Sequence, residues 1–157
     1  MSRAFIKEIE DQPVELSDRP ISSHRNLVTE TGLAEIDAAL GHFEVVHRAA
    51  IDRGDPQAAA AALREVRYWR TRRSTAEVVK APTESAQVAF GMIVVLRRND
   101  GREQSFQIVG EDEADPSRGT VSYVSPLARA VMTHRVGETV EIAGQEAVIL
   151  GIRSLAP

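Results

Sequence analysis

Two aspartates lie near the middle of the chain, in the segment IDRGDPQAAAAALR. Asp52 and Asp55 stand on either side of Gly54, whose conformational freedom suits a tight reversal of the chain. Asp55 has a sufficient structural explanation as the N-cap of a following helix, because Pro56 then occupies the first helical position. A capping box would place a glutamate at position 58, where this chain has Ala58. Spacing alone therefore favours a helix cap over a working carboxylate site.

Other residues that could carry chemistry are sparse. The acidic stretch EDEAD at 111–115 lacks the pattern of a calcium-binding loop, so an exposed polar turn is the favoured interpretation. His42 and His47 are five residues apart and miss the i, i+4 spacing of a zinc pair, which favours packed or surface roles. The chain has no glycine-rich phosphate loop and no serine–histidine–aspartate or G-x-S-x-G signature. These residues predict no autonomous enzyme.

Composition limits the class of protein. A net charge of −4 over 157 residues argues against a general nucleic-acid binder, which would need a basic surplus to neutralise phosphates. The chain has no cysteine, which excludes disulfides, cysteine-based zinc sites and a thiol nucleophile. It has neither a start typical of a signal peptide nor an 18-residue apolar run. We therefore expect a cytoplasmic protein that does not enter a membrane.

The segments on either side of Gly54 are predicted to be helices. Thr29 is a candidate N-cap, and apolar residues beyond it recur at alternating spacings of 3 and 4. The stripes predicted to face each other are Leu33, Ile36, Leu40, Phe43, His47 and Ala50 in the first arm and Ala59, Ala62, Val66, Trp69, Arg73 and Ala76 in the second. Because the link is only a few residues long, the arms should form an antiparallel coiled-coil hairpin that projects about 35 Å.

Two further features of the hairpin concern its tip and its second arm. Small residues are predicted to face each other near the tip and to allow close approach of the arms: Ala49, Ala50, Ala59 and Ala62. The second arm is rich in arginine toward its end, at positions 64, 67, 70, 72 and 73. A solvated helix face is the favoured interpretation of these arginines, and an electrostatic face toward a partner is the alternative.

The C-terminal region is rich in valine and isoleucine. Segments 92–98 and 103–110 flank an Asp100-Gly101 turn and predict a β-hairpin. A short strand TVSYV, a helix SPLARAVM with Ser125 as its cap, and a second hairpin follow, which predicts an α+β fold with an antiparallel sheet. The predicted domains are an extended or disordered tail at 1–27, a coiled-coil hairpin at 28–80, a linker at 81–87 and a β-rich domain at 88–157.

The segment VAFGMIVVLRRNDGREQSFQIVGEDEADPSRGTVSYVSPLARAVMTHRVGETVEI resembles the C-terminal domain of the bacterial GreA/GreB transcription elongation factors. The matching pieces keep the order and spacing of the family: Phe90-Gly91, Ile108-Val109-Gly110, Glu113-Ala114-Asp115, Gly119, Ser125-Pro126-Leu127-Ala128-Arg129-Ala130 and Val136-Gly137. The hairpin in front of this segment, with TETGLAEI opening its first arm and GD at its tip, fits the same two-domain plan.

The resemblance implies an FKBP-like C-terminal domain that docks on RNA polymerase near the mouth of its secondary channel. Val124, Ser125, Pro126 and Leu127 match the docking loop. The hairpin then enters the channel, where acids at its tip help the polymerase hold a Mg²⁺ ion during cleavage of a backtracked transcript. Here the family ligand is Asp55, and Asp52 is a second nearby acid. The resemblance further implies a monomer that is not itself an enzyme, binds no cofactor tightly and contacts nucleic acid only indirectly.

The tip departs from the family pattern G-D-x-x-E-N, because Ala58 and Ala59 replace its glutamate and asparagine. Both arms are also shorter than the usual finger by about 10–15 Å, or two to three helical turns. Val124 stands where some members carry a polar or acidic residue. These departures favour occupancy of the channel over stimulation of cleavage. Two alternatives remain: a short-fingered regulator of nucleoside diphosphate kinase, and a prolyl isomerase, which would need an aromatic-lined pocket from Phe90, Phe106 and Tyr123.

Overall fold

The computed structural model describes residues 15–155, so the first fourteen residues of the predicted tail lie outside the described part of the chain. The described residues form an α+β structure, as predicted. Its elements in chain order are β1 Leu27–Val28, α1 Glu30–Asp52, α2 Pro56–Thr75, β2 Glu77–Val78, β3 Ile93–Arg98, β4 Glu103–Val109, β5 Thr120–Ser122, α3 Pro126–Val131, β6 Thr139–Ile142 and β7 Gln145–Arg153. No helix among residues 15–155 is long and apolar enough to cross a membrane.

Both arms of the hairpin begin at the predicted caps. The Thr29 hydroxyl accepts the amide hydrogen of Gly32 at 2.9 Å, and a carboxylate oxygen of Asp55 accepts that of Ala58 at 3.0 Å. Each bond satisfies one of the amides that a helix leaves without a partner in its first turn. The caps of α1 and α2 are therefore confirmed, and the helices pack against each other along their length.

The predicted seam is confirmed over most of the hairpin, but its last positions are wrong. All six predicted residues of α1 are buried or half-buried, as are those of α2 from Ala59 to Trp69. At the base of the hairpin, however, Arg73 is exposed and its neighbour Arg72 is buried. The helix ends at Thr75, so Ala76 lies beyond it. The heptad spacing fails here because the surface that covers α2 at its end is a loop of the C-terminal region.

One prediction about the tip also needs correction. Ala50 and Ala62 are buried and Ala59 is half-buried, as expected for small residues between closely packed helices. Ala49 instead is exposed. Ala49 and Ala50 differ by about 100° around the helix axis, so only one of the two can face α2.

The C-terminal region is built on a five-stranded sheet with the strand order β5-β4-β3-β7-β6. The two predicted hairpins are present as the antiparallel pairs β3–β4 and β6–β7. The pair β4–β5 is parallel, so the sheet is mixed and the prediction of a wholly antiparallel sheet is wrong. The ten residues between these strands, 110–119, bring the chain back so that Thr120 lies beside Gln107 and β5 runs in the same direction as β4, which a tight turn cannot do.

One face of the sheet and the short helix α3 enclose the main hydrophobic core. Its fully buried members include Val94 and Leu96 from β3, Ile108 from β4, Val131 from α3 and Ile149 from β7. The alternation along β3, with Val94 and Leu96 buried between less buried neighbours, is typical of a strand with one face against a core. The core thus fixes the start of α3, where the predicted docking loop lies.

Candidate functional site

The tip of the hairpin is a three-residue reversal between α1 and α2. Gly54 has a φ angle of +67°, a conformation that favours glycine, and Pro56 is at the first position of α2. One oxygen of Asp55 caps α2, and its other oxygen lies 3.7 Å from the guanidinium of Arg53. The Asp55 side chain is 44% exposed. Both of its oxygens therefore already have partners within the chain.

Asp52 is exposed in the last turn of α1, on the other side of the reversal. Within residues 15–155, no group of three or more histidine, aspartate or glutamate side chains is arranged to hold a metal ion. The surface beside the tip is partly apolar, with Val45 at 69% and Ile51 at 57% exposure. Asp52 and Asp55 consequently form no metal site by themselves.

The predicted docking loop leads into α3. Ser125 accepts the amide hydrogen of Ala128 at 3.2 Å, which makes it the N-cap, and Pro126 occupies the first helical position. Val124, Ser125 and Leu127 are half-buried, whereas Pro126 is exposed. The four predicted residues, which are consecutive in the chain, therefore lie at the surface at the start of a helix that is held by buried core residues.

A buried arginine joins the hairpin to the C-terminal region. The Arg72 side chain is only 2% exposed, and its Nε lies 2.5 Å from a carboxylate oxygen of Asp112. Its Nη2 lies 3.7 Å from Glu111. The Tyr68 hydroxyl donates to the other oxygen of Asp112, and burial together with this hydrogen bond raises the pKa of Tyr68 to about 12.

A second contact connects the start of α1 with the same acidic loop. Glu113 is 8% exposed, and its carboxylate oxygens lie 2.6 and 2.7 Å from the Thr29 hydroxyl, which donates to them. Burial raises the pKa of Glu113 above its ordinary value. A Cβ at Gly32 would lie 2.5 Å from the Glu113 carboxylate, so glycine leaves the space that this side chain occupies.

These two contacts overturn the interpretation of EDEAD as an exposed polar turn. Glu111 and Asp112 are half-buried and Glu113 is buried, all three in contact with the hairpin or its flanking residues. The sequence signal for this contact was the pair of Tyr68 and Arg72, which are one helical turn apart and so lie on the same face of α2. Distance along the chain, 40 residues between Arg72 and Asp112, kept this pairing out of reach of spacing arguments.

The other arginines of α2 are also engaged within the chain. Arg67 lies 3.1 Å from Asp18 and Arg70 lies 3.0 Å from Glu44. Arg73 contacts Asp37, and Arg64 donates to a backbone carbonyl. Arg67, Arg70 and Arg73 are exposed, in agreement with the favoured interpretation of a solvated helix face, whereas the buried Arg72 contradicts it.

A cavity with a volume of about 680 Å³ lies between the start of α1 and the C-terminal region. The residues that line it include the charged side chains of Glu35, Lys80 and Arg118 and no aromatic residue. Phe90 and Phe106 are instead buried in the core. This cavity does not match the aromatic-lined pocket that a prolyl isomerase needs.

Comparison with known proteins finds matches to the GreA/GreB transcription elongation factors. A family model described as "Transcription elongation factor, GreA/GreB, C-term" matches residues 83–152. The chain is 43% identical over 79 residues to transcription elongation factor GreB of Neisseria meningitidis serogroup B, an alignment that covers 49% of this chain and 48% of that protein. It is 44% identical over 85 residues to GreA of Methylobacterium nodulans, covering 50% and 54% respectively. The chain thus spans about half the length of the curated relatives it matches.

Among solved structures, the chain is similar to the GreA factor homolog 1 (Gfh1) protein of Thermus thermophilus, with 18% identity and a TM-score of 0.41. That alignment covers 83% of this chain and 100% of the other. Gfh1 of Thermus aquaticus gives 21% identity and a TM-score of 0.40 at the same coverage of both chains.

Proposed function

We propose that this chain is a transcription elongation factor of the GreA/GreB family that binds RNA polymerase through residues 83–152, which match the model of that family's C-terminal domain. The observation that carries the proposal is the family match over the domain that contains the docking loop. The arrangement of the molecule supports it, since a two-helix hairpin precedes this domain and joins it through Arg72 and Glu113.

Docking in this proposal is carried by Val124, Ser125, Pro126 and Leu127. Their position supports this role, because the loop lies at the surface and α3 anchors it through the buried residues Ala128 and Val131. Ser125 acts as helix cap and partner contact together. A rigid loop of this kind loses little conformational entropy on binding.

The proposed site of action is the secondary channel of the polymerase, entered by the hairpin. At the tip, Asp55 has the family position and Asp52 is the nearest second acid, but Asp55 is already engaged by the cap and by Arg53. These two residues alone do not fit a resident Mg²⁺ ion. Occupancy of the channel, with effects on elongation or on other factors that enter it, is therefore the proposed mode of action.

The remaining parts of the proposal follow from the family. The domain takes an FKBP-like fold, the protein works as a monomer in the cytoplasm, and any cleavage chemistry belongs to the polymerase rather than to this chain. The domain limits 28–80 for the hairpin, 81–87 for the linker and 88–157 for the docking domain are part of the same proposal. Contact with nucleic acid is indirect, through the elongation complex.

Binding of the purified full chain to core RNA polymerase tests the proposal. The double variant Ser125→Asp, Pro126→Glu keeps a good cap and a good first-turn residue at α3 but adds two charges to the docking loop. We expect it to bind more weakly than the wild type. Pro116→Glu is the matched control, because Pro116 is an exposed first-position proline of another short helical turn. Absence of wild-type binding would remove the proposed function, and equal binding by a folded double variant would remove the proposed docking loop.

A further inference from the structure

We propose that residues 15–28, which we call the strap, fix the direction in which the helical hairpin projects from the C-terminal domain. The strap precedes α1 in the sequence, and residues 15–26 have neither helix nor strand. It nevertheless contacts α2 on one side and the C-terminal domain on the other. The proposal concerns the shape of the molecule and does not depend on which partner it binds.

The outer part of the strap is attached to the middle of α2. The Arg19 guanidinium lies 3.6 Å from the centre of the Tyr68 ring and 2.6 Å from a Glu65 oxygen. The Arg19 side chain therefore makes a cation–π contact and a half-buried ion pair at the same place on α2. Two further contacts involve the residues just before Arg19: the Arg64 side chain donates to the Ser17 carbonyl at 2.8 Å, and Arg67 donates to Asp18 at 3.1 Å.

The inner part of the strap caps the C-terminal end of α2. Asn26 is 4% exposed, and its Nδ2 donates to the Arg72 carbonyl at 2.7 Å and to the Thr75 hydroxyl at 3.2 Å. The Arg72 carbonyl is one of the last four in α2, which have no partner within the helix. Next to this contact, β1 pairs with β2 in parallel, with the Glu77 amide donating to the Asn26 carbonyl at 2.8 Å. The strap therefore holds both the side and the end of α2.

The strap also packs directly on the C-terminal domain. Leu27 lies against the hydrophobic core of that domain. Its carbonyl oxygen approaches Gly110 so closely that a Cβ at Gly110 would lie only 2.4 Å from it. Real Cβ atoms do not approach a backbone oxygen this closely, so glycine at position 110 allows the strap to sit against the sheet.

Two hydrogen bonds extend this contact beyond Leu27. The Ser22 hydroxyl donates to Glu111 at 3.0 Å, and the Tyr123 hydroxyl donates to the Arg25 carbonyl. Glu111 is also near Arg72, so strap, hairpin and domain meet around one acidic side chain. The contacts of the strap to the domain thus run from Ser22 to Leu27.

The direct side-chain contacts between hairpin and domain lie at the base of the hairpin: Arg72 and Tyr68 with Asp112, Thr29 with Glu113, and the exposed pair of Glu35 with Arg118. The strap adds contacts around Arg19 that lie one to two helical turns farther along α2, at Tyr68 and Glu65. Because the domain also holds the strap between Ser22 and Leu27, the strap widens the base that supports the hairpin. A wider base resists tilting of the arms relative to the domain.

Distance measurements by pulsed electron paramagnetic resonance test the proposal on the full chain. The chain has no cysteine, so spin labels go only to introduced sites. Ile51→Cys places one label at the exposed side of the hairpin tip, and Glu146→Cys places the other on an exposed strand end of the domain. We expect one narrow distance distribution in the wild type. The double variant Arg19→Ala, Ser22→Ala and the variant Gly110→Ala should each broaden it, with α-helical circular dichroism unchanged.

Arg97→Ala is the matched control, because it removes an exposed ion pair with Glu103 that lies away from the strap, and it should leave the distribution narrow. A broad wild-type distribution, or narrow wild-type-like distributions in both strap variants, would overturn the proposal. Hydrogen exchange of the wild type gives a test that needs no variant to fold. The Glu77 and Val79 amides, which donate to Asn26 and Val28, should exchange as slowly as the interior amides of α2. Exchange at the rate of an unstructured peptide would contradict the proposal.

Discussion

At the scale of single residues, two adjacent arginines carry the same charge in opposite surroundings. The Arg72 side chain is 2% exposed and pairs with Asp112, whose side chain is 10% exposed. Arg73 is 47% exposed and pairs with Asp37, which is 50% exposed. Removing one partner of a buried ion pair leaves the other charge buried without compensation. An exposed charge stays solvated when its partner is removed, so the loss in stability is small. The joint between hairpin and domain therefore rests on Arg72.

Arg72→Ala should destabilise the protein by about 3–5 kcal/mol, because it leaves the Asp112 carboxylate buried with only Tyr68 as a partner. Arg73→Ala should cost at most about 1 kcal/mol. Urea unfolding followed by circular dichroism measures both values. Equal losses in the two variants would contradict the assignment of the joint to Arg72.

Glu113 gives the joint a dependence on pH. Burial raises its pKa in the folded protein above the ordinary value of 4.5, so the folded state binds the proton more tightly than the unfolded chain does. The stability that protonated Glu113 contributes is complete below pH 4.5 and is lost as the pH rises through the raised pKa.

Glu113→Gln cannot ionise and should avoid this loss. The free energy of unfolding of the glutamine variant, relative to wild type, should increase as the pH rises from below 4.5 to neutrality. Urea unfolding over that pH range measures the difference, with Glu103→Gln at an exposed ion pair as the control. A difference that stays constant or falls with pH would show that the Glu113 carboxylate is not penalised by burial.

At the scale of elements, the hairpin shows what local pattern can and cannot predict. Caps depend on a residue and the three that follow it, so Thr29, Asp55 and Ser125 were predictable. The seam between α1 and α2 follows from apolar spacing as long as each helix is covered by the other. It fails at Arg73, where a distant acidic loop covers α2 instead.

The same limit explains the other errors. The parallel pairing of β5 with β4 depends on the path of a ten-residue loop, which carries no periodic pattern. The burial of EDEAD depends on partners 40 or more residues away along the chain. Local sequence therefore predicted the type of each element, while contacts between distant segments decided the edges of the candidate site.

The close approach of the two arms near the tip can be tested by replacing an alanine with a larger side chain. Ala62 is 4% exposed between α1 and α2, and its neighbour Ala61 is exposed. Ala62→Leu should lower the free energy of unfolding by about 1–3 kcal/mol, because the added carbons have no space between the helices. Ala61→Leu should change it by no more than about 0.5 kcal/mol. Thermal and urea unfolding compare the two variants, and a tolerated Ala62→Leu would mean that the arms are not closely packed there.

At the scale of the whole molecule, both the length of the hairpin and the acidic side chains at its tip bear on transcript cleavage. The 23 residues of α1, between the cap at Thr29 and the reversal at the tip, give an arm about 35 Å long. Ala58→Glu restores both the capping-box residue and a second carboxylate beside Asp55. It leaves the length of the arms unchanged. The variant therefore distinguishes two explanations for weak cleavage: a missing carboxylate at the tip, and arms that are too short.

Cleavage of the transcript in a stalled, backtracked elongation complex is the measurement, made at equal occupancy of the polymerase by each variant. We expect little stimulation by the wild type and at most a partial gain with Ala58→Glu. Asp55→Asn should leave both polymerase binding and hairpin stability near wild type, because asparagine caps a helix as well as aspartate does, whereas Asp55→Ala should lose about 1 kcal/mol. Strong wild-type cleavage that Asp55→Asn abolishes, with stability unchanged, would instead make Asp55 a metal ligand in the polymerase complex. Strong cleavage by Ala58→Glu alone would show that the arms reach far enough and that only a carboxylate is missing.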